Sequence, residues 1–314
     1  MQENHNNDSP SFTEDEINLQ ELFYILIKRK WIIFTLTTFF SIAGVLYSLS
    51  LPNIYQSKAL LSPVDSSTSL SGSLQNVSSL AGLAGISLPS VGPKSNKIKA
   101  INKLNSLSFF KNNIQPNIFL PDLMAIKSWD YVENVISYDE NIYNAVSNSW
   151  VRKFEYPKKQ IPSSQESFKI FQKLHMNVVE DKKTGFVTLS VKHQSPFVAK
   201  QWVELIVNEV NIYFRQKDKL ESQKSAAYLN QQISKTNLSE VKQAIAELLQ
   251  QETQKLALIE ATEYYVFDYI DPPVVMEKKS SPTRAIICIL AAFLGAALGI
   301  IMAFLAEYRT KDQD

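Results

Sequence analysis

Two long uncharged apolar runs interrupt the mixed polar and hydrophobic pattern of the chain. The first covers residues 31–51 and the second covers residues 285–305. A helix rises about 1.5 Å per residue, so a run of this length matches a hydrocarbon core of about 30 Å. We therefore predict two transmembrane helices, at 31–51 and 285–305. For the first run a secretory signal peptide is the alternative, although its apolar stretch would be shorter.

Basic residues beside the first run predict its orientation. Lys28, Arg29 and Lys30 directly precede it, and cytoplasmic flanks carry an excess of Lys and Arg. Both termini are then cytoplasmic, and the domain between the spans lies outside the cytoplasm. Lys and Arg also occur on both sides of the second run, so we let the first run decide, since long domains translocate largely regardless of charge.

The polar pattern divides the rest of the chain into segments. Thr13 and Glu16 predict a capping box that opens a short amphipathic helix before the first span. The predicted segments are a cytoplasmic tail with an interfacial helix at 1–30, an α/β domain at 52–195, a long helical hairpin at 196–264, a returning strand and proline-rich linker at 265–284, and a cytoplasmic tail at 306–314.

Within the α/β domain, three short runs have strand-like composition. One covers 55–61, and two others, at 178–180 and 186–191, flank the sequence DKKTG and predict a β-hairpin. After the first of these runs, residues 65–97 are rich in Ser, Gly and Leu, which predicts loop and short helix. This stretch is either a contact between subunits or a flexible linker.

Aromatic residues without a clear period fill the middle of this domain. We expect them to be core residues rather than a sugar-binding platform. They are Trp129, Tyr131, Tyr138, Tyr143, Trp150, Phe154 and Tyr156.

A long helical region follows. Ser195 and Pro196 suit a helix start, because serine can cap free amides and proline is tolerated at the first helical position. Residues 197–271 contain neither Gly nor Pro and would span about 110 Å as one helix. Both ends are expected near the membrane, so we predict a break near Asn237, with Asn237 and Glu240 capping a second helix. A hairpin is favoured over one continuous coiled coil.

Small residues recur every four positions in the second span. Ala291, Gly295, Gly299 and Ala303 would form one face along which another helix could approach closely. Helix packing is one interpretation. The other is that Ala and Gly are common in membrane helices.

Three prolines precede the second span. Pro272, Pro273 and Pro282 each fix φ, which suits a stiff connection between the outer domain and the helix. Each proline also fits a plain strand-to-helix linker.

Composition excludes several classes of function. The net charge of +1 argues against a nucleic-acid partner. His5, His175, His193 and the lone Cys288 form no metal-binding or Cys-His pattern. The glycines form no phosphate-binding loop. We therefore expect no catalytic residue, no metal, no cofactor and no enzymatic activity.

Three pieces of the chain resemble the Wzz-type chain-length determinants, or polysaccharide co-polymerases. The first is EINLQELFYILIKRKWII at 16–33, an acidic amphipathic entry followed by a basic cluster and Trp. The second is TGFVTLSVKHQSPFVAKQWVELIVNEVN at 184–211, a strand leading into a long helix. The third is DPPVVMEKKSSPTRAIICILAAFLGAALGI at 271–300, a proline-rich segment entering a Gly/Ala-rich span.

The resemblance implies an α+β fold, in which two transmembrane helices flank an extracytoplasmic α/β base domain with a protruding helical hairpin. It further implies a multi-pass protein of the bacterial inner membrane with a periplasmic main domain. Its partners would be copies of itself in a ring and a polysaccharide polymerase, with the growing glycan as a further candidate. The implied function is control of chain length in O-antigen type lipopolysaccharide. Kinase activity, found in relatives with a nucleotide-binding domain, is not carried over.

Two other functions fit the same pattern. Two spans around an outer domain also describe sensors, but a sensor should carry a cytoplasmic output module. An accessory protein of a polysaccharide exporter shares the spans and the helical hairpin. That alternative stays open at this point.

Overall fold

The computed structural model describes residues 19–64 and 93–311. The predicted capping box at Thr13 and Glu16 and most of the 65–97 stretch lie outside these residues. The chain forms two compact units. We call residues 1–52 with 281–314 the membrane unit, and Asn53–Ser280 the sheet unit.

The membrane unit contains three helices among its described residues. They are α1 (Leu19–Lys28), α2 (Lys30–Ser50) and α9 (Arg284–Lys311). Two segments, Lys30–Ser50 and Arg284–Arg309, are long and apolar enough to cross a membrane. The two candidate spans are therefore present as helices.

The sheet unit mixes helices and strands. Its longer elements are β1 (Tyr55–Pro63), α3 (Pro93–Leu104), β6 (Met176–Glu180), β7 (Val187–His193), α7 (Pro196–Lys235), α8 (Ser239–Ala261) and β8 (Phe267–Asp271). Its shorter elements are α4 (Leu107–Phe109), α5 (Leu120–Met124), β2 (Ile126–Asp130), β3 (Val135–Tyr138), β4 (Tyr143–Asn144), β5 (Ser149–Trp150) and α6 (Ser164–Ile170). Single turns of wider or tighter helix follow α4 and α6.

A four-stranded antiparallel sheet has the order β6-β7-β1-β8. Strands β6 and β7 form the predicted hairpin around DKKTG. Asp181 Oδ1 accepts the backbone N–H of Lys183 at 2.8 Å, and Gly185 has a φ of 75°, a conformation that glycine adopts without a steric cost. The local turn chemistry therefore fixes this register.

Helix α7 covers one face of the sheet. Its buried residues recur at intervals of three and one, which places them in one stripe toward the core. They include Ala199, Trp202, Val203, Ile206, Val207, Val210 and Phe214. They pack with alternate residues of β1 and β7, such as Ala59, Leu61, Leu189 and Val191. The core of the sheet unit lies between this helix and the sheet.

Beyond Phe214, helix α7 pairs with α8. Arg215 donates to the carbonyl oxygen of Thr262 at 2.5 Å, and Lys219 forms an ion pair with Glu260. The helical hairpin and the base of the sheet unit thus share one helix. The predicted α+β class, with two candidate membrane helices and a long helical hairpin, is confirmed.

The predicted capping residues are corrected. Helix α7 starts after Ser195, with Pro196 as its first residue, but the Ser195 side chain makes no capping hydrogen bond. The break between α7 and α8 includes Asn237, as predicted. However, α8 begins at Ser239 after Leu238, so Asn237 lies one position too early to cap it.

The prediction that the middle aromatics are core residues is wrong for most of them. Tyr143 is buried, whereas Tyr131 is 79% exposed and Tyr156 is 96% exposed. Phe154 is also exposed, and Trp129, Tyr138 and Trp150 are half-buried. These residues lie on two-stranded ribbons and a loop, where little structure is available to cover both faces.

Candidate functional site

The two candidate spans pack along a face of small residues. A Cβ added at Gly295 would lie 2.8 Å from the Cβ of Phe40 and 3.0 Å from the Cα of Thr37. A Cβ added at Gly299 would lie 2.8 Å from the Cα of Ile33. Real Cβ atoms do not approach so closely, so glycine is required where the backbones of α2 and α9 meet.

The same face continues toward both ends of α9. A Cβ added at Gly44 in α2 would overlap the Cβ of Ala291, and Ala303 is fully buried. All four small residues singled out in the sequence therefore lie on the side of α9 that is covered. Gly44 was missed, because a single glycine in α2 shows no spacing pattern. The role of this face in function stays a prediction.

Charged and polar groups join the ends of the helix pair. Glu307 of α9 accepts from Lys28 Nζ at 2.5 Å and from Arg29 Nε at 3.1 Å. At the other end, Arg284 Nε donates to the backbone oxygen of Ser48 at 3.2 Å. The basic cluster that predicted the orientation of the first span thus also binds the carboxylate of the second.

The linker prolines lie in different surroundings. Pro272 is exposed and Pro273 is buried, both in the sheet unit, and Pro282 is half-buried in the membrane unit. The structure therefore does not bring the three prolines together as one site. Their proposed stiffening role stays a prediction.

The linker after β8 is hydrogen-bonded to β1. Ser57 Oγ donates to the carbonyl oxygen of Val274 at 2.9 Å, and the backbone N–H of Ser280 donates to the oxygen of Ile54 at 2.8 Å. Lys279 also donates to Asn53 Oδ1 at 3.2 Å. This linker is therefore an extended segment fixed against the first residues of the sheet rather than a free tether.

A buried amide fixes the returning strand to the long helix. Asn211 Oδ1 accepts the backbone N–H groups of Tyr265, Val266 and Phe267, and Asn211 Nδ2 donates to the oxygen of Phe267. Close by, the Tyr265 hydroxyl donates to Asp218 at 2.7 Å. Burial and this hydrogen bond to a carboxylate raise the pKa of Tyr265, so the hydroxyl stays a donor.

Two histidine rings, at steep angles to the indole ring, pack against Trp202 in the first turns of α7. Their ring centroids lie 5.5 Å (His175) and 5.1 Å (His193) from that of Trp202. His193 Nδ1 accepts the backbone N–H of Ser195, so Nε2 carries the proton and donates to the oxygen of Asp122 at 3.0 Å. Burial lowers the pKa of both rings, to about 4 for His175, which also lies beside His193. Both are neutral near pH 7.

Asp122 and Tyr138 form a hydrogen-bonded pair beside the two histidines, and burial shifts the pKa of both. The Tyr138 hydroxyl donates to Asp122 Oδ1 at 2.6 Å. Burial raises the pKa of Asp122, and the hydrogen bond from Tyr138 acts against that shift. Burial and the Asp122 carboxylate raise the pKa of Tyr138. Across residues 19–64 and 93–311, no three His, Cys, Asp or Glu side chains lie close enough together to hold a metal ion.

Comparison with known protein families finds a match in the first third of the chain. Residues 15–115 match the family model described as "Wzz: Chain length determinant protein". The resemblance to Wzz-type chain-length determinants is confirmed. The Wzz match contains α2 with Ile33 and Gly44, strand β1 and α3, and it ends before the long helical hairpin.

Two solved structures are also similar to this chain. One, described as a full-length bacterial polysaccharide co-polymerase, is 13% identical with a TM-score of 0.41, over 94% of this chain and 99% of that chain. The other, a fragment of the polysaccharide co-polymerase WzzB from Salmonella Typhimurium, is 12% identical with a TM-score of 0.32, over 73% of this chain and 100% of that chain. No curated protein sequence matches the chain.

Proposed function

We propose that this chain is a non-catalytic regulator of polysaccharide chain length, of the O-antigen lipopolysaccharide type. It acts as a homo-oligomeric co-polymerase beside a glycan polymerase in the bacterial inner membrane. Both termini are cytoplasmic, and the sheet unit is periplasmic. The observation that carries the proposal is the Wzz family match over residues 15–115.

The packing of the two spans supports a role that depends on rigidity. Close contacts at three glycines, against the Ala291 side chain at Gly44 and against the backbone of α2 at Gly295 and Gly299, hold α2 and α9 in one fixed relationship. A closely packed helix pair changes position as a unit rather than by bending. Such a pair is suited to present a constant surface to a polymerase in the same membrane.

The linker supports the same role from the sheet unit. Its hydrogen bonds from Ser57, Ser280 and Lys279 fix the segment that leads from β8 toward the second span. Within a ring of copies, such a fixed segment would pass the state of the outer domain to the membrane helices. The growing glycan is a further candidate contact of the sheet unit.

Deletion of the gene tests this proposal against the exporter alternative. Surface and internal polysaccharide are separated and each is run on a gel. Chain-length regulation predicts that surface polymer persists and that its modal cluster of lengths becomes a smooth distribution weighted toward short chains. Polymer that disappears from the surface and accumulates inside the cell would instead establish an exporter accessory. Gene neighbours of the flippase and polymerase type, or of the transporter type, give an independent check.

A further inference from the structure

The β2–β3 ribbon displays an aromatic and apolar tip that the sheet unit does not cover. Tyr131 is 79% exposed and Val132 is 73% exposed, side by side in the turn between the two strands. Val135, the first residue of β3, is exposed as well. We propose that this tip inserts into the interface of the phospholipid bilayer, as a membrane contact additional to the two spans. The proposal rests on the two membrane spans of the proposed function.

The tip is rigid although it touches little of the protein. Asp130 Oδ1 accepts the backbone N–H groups of Val132 at 2.7 Å and Glu133 at 3.2 Å. Trp129 Nε1 donates to Asn134 Oδ1 at 2.9 Å across the turn. A turn held by its own side chains presents Tyr131 and Val132 in a fixed position, which lowers the entropic cost of binding a surface.

Ring contacts place the ribbon at one particular end of the sheet. The ring of Trp129 packs edge-on against Tyr55, with centroids 5.4 Å apart, and also contacts Phe197 at 6.4 Å. Tyr55 is the first residue of β1, and Phe197 lies in the first turn of α7. The ribbon therefore belongs to the end of the sheet where β1 and α7 begin.

That end of the sheet is tied to the bilayer by short lengths of chain. Tyr55 follows Ser50, the last residue of α2, by five residues, which can reach at most about 18 Å. Ser280, bonded to Ile54, precedes α9 by four residues. Two short connections to two spans keep this end of the sheet close to a bilayer surface.

The chemistry of the tip fits an interface rather than the hydrocarbon centre. Trp and Tyr are enriched at the level of the lipid headgroups, where an apolar ring and a polar edge are both accommodated. Lys127 is exposed on the same ribbon and is available to a lipid phosphate. The carboxylate of Asp130 is occupied by the turn, and the exposed Glu133 limits insertion to headgroup depth.

Fluorescence quenching by labelled lipid tests the proposal on the full-length chain. With Cys288→Ser as background, a polarity-sensitive thiol probe is attached to Val132→Cys, Phe293→Cys or Leu238→Cys. Phe293 is an exposed position of α9 and reports on the span. Leu238 is exposed at the break after α7, which is about 60 Å long, and serves as the control remote from the bilayer. Vesicles contain phosphatidylethanolamine and phosphatidylglycerol, either alone, with lipid brominated near the headgroup, or with lipid brominated near the middle of the bilayer.

We expect lipid brominated near the headgroup to quench the probe at position 132 and lipid brominated near the middle of the bilayer to quench the probe at position 293. The probe at position 238 should keep its emission in both. The proposal is overturned if position 132 behaves like position 238 while position 293 is quenched. It is also overturned if the probe at position 132 is not quenched by brominated lipid and its emission is equally blue-shifted in vesicles and in detergent. That result would show that the tip is covered by another copy of the chain. Loss of quenching at position 293 as well would contradict the spans themselves, and with them the proposed function.

Discussion

The side-chain amide of Asn211 is hydrogen-bonded to the backbone of Phe267 in both directions. Asn211 Nδ2 donates to the oxygen of Phe267 at 2.9 Å, and Asn211 Oδ1 accepts the Phe267 N–H at 3.0 Å. The side-chain amide thus forms hydrogen bonds with the backbone N–H and oxygen of Phe267, as a neighbouring strand would. Through this residue of α7, the long helix fixes the position of the strand that leads back to the second span.

Replacing Asn211 with alanine is expected to destabilise the protein. Three backbone N–H groups, those of Tyr265, Val266 and Phe267, would lose their acceptor in a buried position. An unsatisfied buried group costs about 1–3 kcal/mol, so a loss of about 3 kcal/mol of unfolding free energy is expected. Thermal denaturation of the full chain in detergent measures it. The matched control is Asn208→Ala, an exposed asparagine of the same helix, and equal effects of the two variants would contradict this account.

Substituting leucine for Gly299 is expected to separate the two spans. Even a Cβ there would lie 2.8 Å from the Cα of Ile33, so the helices must move apart, at a cost of about 1–3 kcal/mol. We expect a lower denaturation midpoint in detergent and a changed length distribution of the surface polysaccharide at normal protein level. Ala297→Leu, which adds the same side chain on an exposed face of α9, should change neither. If Gly299→Leu leaves both measurements unchanged, close packing of the spans is not required.

Acidification is expected to destabilise the sheet unit through its two buried histidines. The unfolded chain binds protons at these residues below about pH 6.5, whereas burial holds the folded pKa of His175 at about 4. The contribution of these histidines to the free energy of unfolding is therefore fully present above the unfolded pKa. It is lost as the pH falls toward the folded pKa, by about 3 kcal/mol for His175. The raised pKa of the nearby Asp122 acts in the opposite sense as its carboxyl takes up a proton.

The pH dependence of the denaturation midpoint, from neutral pH to about pH 5, checks this expectation. His175→Gln keeps a donor for the oxygen of Lys192, which His175 Nδ1 contacts at 2.7 Å, but cannot titrate. This variant should show a shallower dependence on pH than the unmodified chain. Parallel curves for the two proteins would show that His175 does not contribute.

Replacing Pro272, Pro273 and Pro282 with alanine is expected to broaden the distribution of polysaccharide lengths. Each proline fixes φ in the segment between β8 and the second span, and alanine restores backbone freedom there. The measurement is the length ladder of surface polysaccharide from cells in which the variant assembles normally. Pro116→Ala, an exposed proline outside the linker, is the control. An unchanged ladder with all three prolines replaced would exclude a stiffening role.

Local signals in the sequence accounted for much of the fold. The DKKTG turn contains its own Asx contact and a glycine with positive φ, so the hairpin was predictable from five residues. The break near Asn237 was predictable because few distant contacts compete with local preference between α7 and α8. The regular spacing of small residues likewise singled out one face of the second span.

Long-range contacts were beyond the reach of the same reasoning. Asn211 meets its partner 56 residues away, and Glu307 meets Lys28 across 279 residues, so no local pattern indicates either contact. The exposure of Tyr131 and Tyr156 was also missed. Aromatic residues without a period carry no information on which face of a two-stranded ribbon is covered.

Restoring the gene to a deletion strain at graded expression levels, and running the surface polysaccharide on a gel at each level, addresses the proposed regulation of chain length. The proposal predicts a smooth, short-weighted ladder without the protein and the return of one modal cluster at a constant length as expression rises. A ladder that keeps its shape at every level, or changes only in the total amount of polymer, would contradict the assignment of this chain as a regulator of polysaccharide length.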